Sequence, residues 1–225
     1  MGSELVAYGL LGVYVYSGRT RYGLKTTLLF LLGSLYWTLI LENVGVLMNF
    51  FTYTSADRSS SPFYLLWTGL TPLWVSIGWF DITFPTFMLL AEVLSRSRLW
   101  TKAIMGGFIA VSLDLIIDPA ATAFGLWRWT HPSLYFLGVP VTNYIGWFLL
   151  TTFYLAVFES VHIKARFSAL SPFKPSEGGE WKTKRVSGGT VMRLVGRLMV
   201  FQVIFIIIYV PLLYSIASIG TLPAG

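Results

Sequence analysis

No cysteine occurs among the 225 residues, so disulfides, thiolate metal ligands and cysteine nucleophiles are excluded together. Histidine is nearly as scarce. His131 and His162 are the only two. They fall in connections on opposite sides of the topology derived below, so they cannot share a metal and a histidine-box oxygenase is excluded. Charged residues make up 12% of the chain, about half the share usual for a soluble domain. Neither a P-loop nor a dinucleotide-binding glycine fingerprint is present. The amino terminus lacks the basic start and small-residue cleavage site of a signal peptide, so Leu5–Tyr16 is expected to be retained as a first helix.

Apolar residues are abundant, at 55%, with 17% aromatic. They gather in runs close to the ~20 residues that cross a hydrocarbon core of about 30 Å. These runs predict an all-α, polytopic transmembrane helix bundle, a single domain over residues 1–225 located in the cell membrane. Six spans are expected, at 4–17, 26–51, 68–94, 100–118, 141–161 and 194–219. A polar cytoplasmic loop is expected at about 162–190, where Ser-Pro, Lys-Pro and two Gly-Gly pairs lie among charges.

The formal charge of +6 does not point to nucleic acid, because the basic residues sit at the edges of the apolar runs. Arg19, Arg21 and Lys25 follow the first run and Arg96, Arg98 and Lys102 the third. Lys164, Arg166, Lys174, Lys182, Lys184, Arg185, Arg193 and Arg197 follow the fifth. Only Arg58 and Arg128 fall in the remaining connections. By the positive-inside rule this places both termini outside. Lys25, Lys102 and Lys164 all lie at expected membrane edges, so no buried Schiff-base lysine is evident.

Four of the acidic residues do not fit a passive apolar bundle. Glu42, Asp81 and Asp114 lie inside expected spans and Asp118 at the end of one. A charge at the centre of a membrane helix costs roughly 2.5 to 3.5 kcal/mol on insertion scales, so each acid requires a partner, a proton or water. At 1.5 Å per residue, Glu42, Asp114, Asp118 and Asn143 fall in the outer half of the bilayer and Asp81 nearer its middle. Glu92 and Glu159 lie near the inner ends, where snorkelling to the interface is expected.

Asp114 and Asp118 are four apart and project from one face of a helix. Two carboxylates this close do not both ionise readily, so one is expected to carry the proton that a general acid needs. Pro119 disfavours helical geometry at Asp118 and predicts that the helix ends there. Pro85 cannot donate to the carbonyl of Asp81, which leaves an acceptor in mid-membrane where water can dock. The outer connection 120–140, with Trp127, Trp129, Tyr135 and Phe136, is expected to lie against the membrane surface or to fold back.

The ordered run Asp114-Leu-Ile-Ile-Asp118-Pro119, Gly125-Leu-Trp127-Arg-Trp129, Tyr135-Phe-Leu-Gly138-Val139-Pro140 and Asn143-Tyr-Ile-Gly146-Trp147 resembles the carotenoid biosynthesis protein family. That family includes hydratases of the bisanhydrobacterioruberin and gamma-carotene types. Glu42 with Gly45, then Phe51 with Tyr53, is similar to an earlier motif of the family, so the resemblance covers roughly residues 35 to 160. It implies addition of water across the terminal isoprenoid double bond of an acyclic carotenoid, giving a tertiary alcohol.

Such a reaction needs an acid that protonates carbon, shielding of a tertiary cation and a held water. On this reading Asp114, Asp118 and Glu42 form the catalytic set and no cofactor is required. Asn143, Trp127, Trp129, Tyr135, Trp147 and Asp81 form the substrate-binding set, each ring supplying about 2 kcal/mol of cation stabilisation when desolvated. The partners expected are a carotenoid or other long isoprenoid and the membrane lipids. The residues alone also admit an isoprenoid cyclase or isomerase, a proton-coupled transporter and a non-catalytic isoprenoid-binding protein.

Overall fold

The computed structural model describes residues 2–54, 66–131 and 134–166, with scattered positions between 196 and 207. Five helices are defined among them: α1 (Gly2–Tyr22), α2 (Leu24–Leu47), α3 (Leu73–Val93), α4 (Leu99–Ala123) and α5 (Val141–Arg166). α2, α3, α4 and α5 are long and apolar enough to cross a membrane. α1 carries Glu4, Arg19 and Arg21 and is less apolar. Gly23, at φ 84°, separates α1 from α2 with a left-handed turn that a side chain would strain. Of the sixth expected span only scattered helical positions are described, and residues 167–190 of the expected loop lie outside the described residues.

Several boundaries differ from expectation, and three of the differences bear on the helices around Asp118 and Asn143. The second helix stops at Leu47 rather than 51, because Asn49 turns the chain at φ 56° into the strand β1 (Phe51–Tyr53). The fifth helix continues to Arg166, so the expected loop begins later. The fourth runs through Pro119 to Ala123, which places Asp118 inside the helix rather than at its end. Pro119 withholds an amide only from the Leu115 carbonyl, and the helix-compatible run Ala120-Ala-Thr-Ala123 carries the winding on.

Short antiparallel ribbons close the end of the bundle where α2 and α4 finish and α3 and α5 begin. β2 (Trp67–Thr68) pairs with β3 (Thr71–Pro72), β1 pairs with β4 (Trp127–Trp129), and β5 (Tyr135–Phe136) pairs with β6 (Val139–Pro140). The described residues of the connection from Ala123 to Val141 thus lie over the ends of the helices.

The core is aromatic. Phe30 lies at its centre, with ring centroids of Phe158 at 4.6 Å, Tyr154 at 5.0 Å and Phe84 at 5.1 Å in edge-to-face geometry, an arrangement that suits the ring quadrupoles. Tyr154 donates its hydroxyl hydrogen to the Phe30 carbonyl at 2.6 Å, satisfying the one polar atom its burial would strand.

α4 and α5 form the most extensive helix pair. Glycines allow the close approach: a methyl at Gly107 would lie 2.8 Å from the Phe148 carbonyl, and one at Gly106 would collide with Leu155. The facing pairs Lys102 with Glu159, Gly106 with Leu155, and Asp118 with Asn143 advance in equal steps in opposite directions. One antiparallel register therefore satisfies all three. The first pair is an ion pair of 2.5 Å with both side chains under 10% exposed. Glu159 does not snorkel, and Lys102, in the first turn of α4, is buried against it. By contrast Glu92 meets Arg21 at 3.2 Å with both side chains mostly exposed.

Candidate active site

The ribbon of β1 and β4 determines which side chains face the helices. Its register sets Phe51 opposite Trp129, Thr52 opposite Arg128 and Tyr53 opposite Trp127. Opposed residues share a face and neighbours alternate. Phe51, Tyr53, Trp127 and Trp129 therefore turn to one side and the exposed Arg128 to the other. Gly45 makes room beneath, since a methyl there would lie 2.7 Å from the Phe51 ring.

Glu42, on the last turns of α2, accepts two hydrogen bonds of 2.8 Å, from the Tyr53 hydroxyl and from Trp79 Nε1 on α3. An indole N–H can only donate, so Oε1 of Glu42 serves as an acceptor. Next to Glu42, Asn43 receives the Leu70 amide at 2.5 Å and donates to the Thr68 carbonyl at 3.2 Å. These bonds fasten the β2–β3 turn to α2.

Asp114 and Asp118 are buried one turn apart on α4. Asn143, in the first turn of α5, uses one amide nitrogen for both: Nδ2 donates to Oδ2 of Asp114 at 2.9 Å and to Oδ2 of Asp118.

These groups surround one cavity of about 190 Å³, lined by Glu42, Asp118, Asn143, Trp79, Trp127 and Trp147 among others. It is somewhat larger than the ~150 Å³ void that admits benzene. Trp147 packs on Trp79 with centroids 4.3 Å apart, and Trp74 stacks on Trp127 at 6.4 Å. Asp114 stands behind Asp118 and does not itself line the space.

Of the residues singled out in the sequence, Glu42, Asp114, Asp118, Asn143, Trp127, Trp129 and Trp147 are thus brought together. Two are not. Asp81 is buried on α3 with neither oxygen hydrogen-bonded, and it does not line the cavity. Tyr135 is nearly half exposed in the β5–β6 hairpin, where its hydroxyl donates to the His131 carbonyl at 3.2 Å.

Sequence reasoning missed Trp79, Trp74 and His131 as lining residues. For Trp79 the signal was available in part: an indole N–H within an apolar span needs an acceptor, and Glu42 is one of the few acids within the spans.

The family described as carotenoid biosynthesis protein matches residues 3–217. A bisanhydrobacterioruberin hydratase from Haloarcula japonica is 30% identical over 93 residues, 40% of this chain and 31% of that protein. The match therefore spans about a third of the relative's length. No solved structure matches the chain.

Proposed function

The chain belongs to the carotenoid biosynthesis protein family, and from that premise we propose that it is an intramembrane hydratase of acyclic carotenoid ends. The apolar polyene stays in the bilayer while its terminal –CH=C(CH₃)₂ group enters the aromatic cavity. In the orientation expected from the basic residues, that cavity lies towards the outer leaflet.

Asp118 transfers a proton to the CH carbon. The alkene electron pair forms the new C–H bond and leaves a tertiary cation. Water attacks that carbon, forming the C–O bond, and its surplus proton passes to Glu42. The sum is alkene plus water to tertiary alcohol. Return of the proton from Glu42 to the aspartate pair closes the cycle. Asp114, behind Asp118 and linked to it through Asn143, shares the pair's proton. The rings of Trp79, Trp127 and Trp147 shield the cation, each worth up to about 2 kcal/mol when desolvated.

The observation that carries this reading is the convergence of acids from α2 and α4 on one apolar, tryptophan-lined space. Catalysis by a positioned general acid contributes about 10² to 10⁴ in rate, so Asp118→Asn should lose at least a hundredfold. The test is pigment extraction from cells that make acyclic carotenoids, with and without this chain. A mass gain of one water per modified end supports the proposal. Cyclised or isomerised pigment without that gain would assign the site to a cyclase or isomerase, and unchanged pigment would remove the catalytic reading.

A further inference from the structure

Five of the described acids are partnered in two different ways. Towards the end where α4 begins, Glu159 is paired with Lys102 and Glu92 with Arg21. At the cavity, Glu42 is held by a phenol and an indole, and Asp114 and Asp118 by an amide. Every one of those donors is neutral. Among the described residues no lysine or arginine lines the cavity, and the nearby Arg128 is turned to the far face of its ribbon. Among the described residues, whatever negative charge these acids carry is therefore met by dipoles and by no lysine or arginine, His131 being the one imidazole in the lining. Around them stand Trp74, Trp79, Trp127, Trp129 and Trp147, the ring type that attracts cations most strongly.

We infer that the cavity is a receptor for lipophilic tertiary ammonium ions, with an alkyl-dimethylammonium group as its fitting head. This rests on the hydratase reading for the choice of head. R–CH₂–NH⁺(CH₃)₂ has the skeleton of the cation R–CH₂–C⁺(CH₃)₂, keeps its charge and cannot lose it by capturing water. The alkyl tail takes the place of the polyene in the bilayer. A stable ion with the shape and charge of a fleeting one draws on interactions that the site makes with the reacting state. An alkyl-dimethylamine should thus be a tight competitor of the carotenoid end.

The test uses the full chain in phosphatidylcholine nanodiscs, with empty nanodiscs correcting for partition into lipid. Binding of N,N-dimethyldodecylamine at neutral pH is compared with that of its uncharged hydrocarbon isostere, 2-methyltetradecane, through quenching of tryptophan emission. The charged ligand should bind at least tenfold more tightly, a difference of about 1.4 kcal/mol. Glu42→Gln should remove most of that preference while leaving the isostere's affinity unchanged. Asp114→Asn, which removes the pair's charge while the proton stays on Asp118, offers a second reduction in charge should the first variant not fold.

Equal affinity of amine and isostere for the unmodified protein overturns the inference, as does a preference that survives both substitutions. Pigment extraction separates this outcome from the parent reading. Selective amine binding without hydrated pigment leaves the cation site standing and removes the hydratase, whereas hydrated pigment without amine selectivity removes only the cation site.

Discussion

Asn143 joins the two aspartates with a single nitrogen, so changing that atom alone tests whether the cluster holds together as described. Asn143→Asp is nearly isosteric, but it replaces both donated hydrogens by an acceptor oxygen and sets a third carboxyl beside Asp114 and Asp118. Two hydrogen bonds are lost. A bond to a charged group contributes about 1.5 to 3 kcal/mol and a neutral one about 1. With one charge on the pair, the loss comes to about 3 kcal/mol, or about two orders of magnitude in the folded-to-unfolded ratio.

Asn143→Leu loses the same bonds without adding a carboxyl and separates the two contributions. Thermal unfolding in detergent, followed by circular dichroism at neutral and at mildly acidic pH, reads both. The direction with pH follows from the chemistry of the introduced group. Protonated, it regains an O–H that can donate to its neighbours; ionised, it repels them. The penalty in Asn143→Asp should therefore be largest at neutral pH and shrink as pH falls, while that in Asn143→Leu should not shrink in this way. An Asn143→Asp protein as stable as its parent at neutral pH would refute the bridging role.

Other outcomes follow from the same geometry. Glu159→Gln should cost about 3 to 5 kcal/mol by leaving the Lys102 charge buried without its counter-ion, and Lys102→Met with Glu159→Leu should recover most of that loss, measured as a double-mutant cycle in thermal melts. Gly107→Ala should destabilise by about 1 to 3 kcal/mol, because the methyl meets the Phe148 carbonyl, which cannot swing away, as well as the Thr152 and Phe148 side chains. Tyr53→Phe removes one of two hydrogens directed at Glu42 and, on the proposed hydratase reading, should lower kcat about tenfold and also lower the melting temperature, by the loss of about 1.5 to 3 kcal/mol for a bond to a carboxylate, checked by turnover in membranes and thermal melts.

The helical spans and the grouping of acids were legible in the sequence for simple physical reasons. Long apolar runs admit few structures in a bilayer, and the spacing of Asp114 and Asp118 fixes a shared helix face whatever surrounds them. What was not legible depends on contacts distant in sequence. The pairing of Phe51–Tyr53 with Trp127–Trp129 joins three-residue strands more than seventy positions apart, too short to show a period of their own. The partnership of Lys102 with Glu159 requires the α4–α5 register, and each residue taken alone looks like an interfacial charge. Pro119 misled because its effect on the preceding residue is local, whereas continuation to Ala123 is set by the residues after it. Tyr135 and Asp81 were placed by loop proximity and depth, and depth does not determine the direction in which a side chain faces.

The shared register of α4 and α5 also bears on how a long guest can enter. Sliding one helix past the other by a turn, a shift of about 5.4 Å, would part Lys102 from Glu159 and unseat Asn143 from the aspartates in the same movement. That wall is thus bolted at top and bottom. On the proposed hydratase reading, a long guest therefore reaches the cavity without parting α4 from α5.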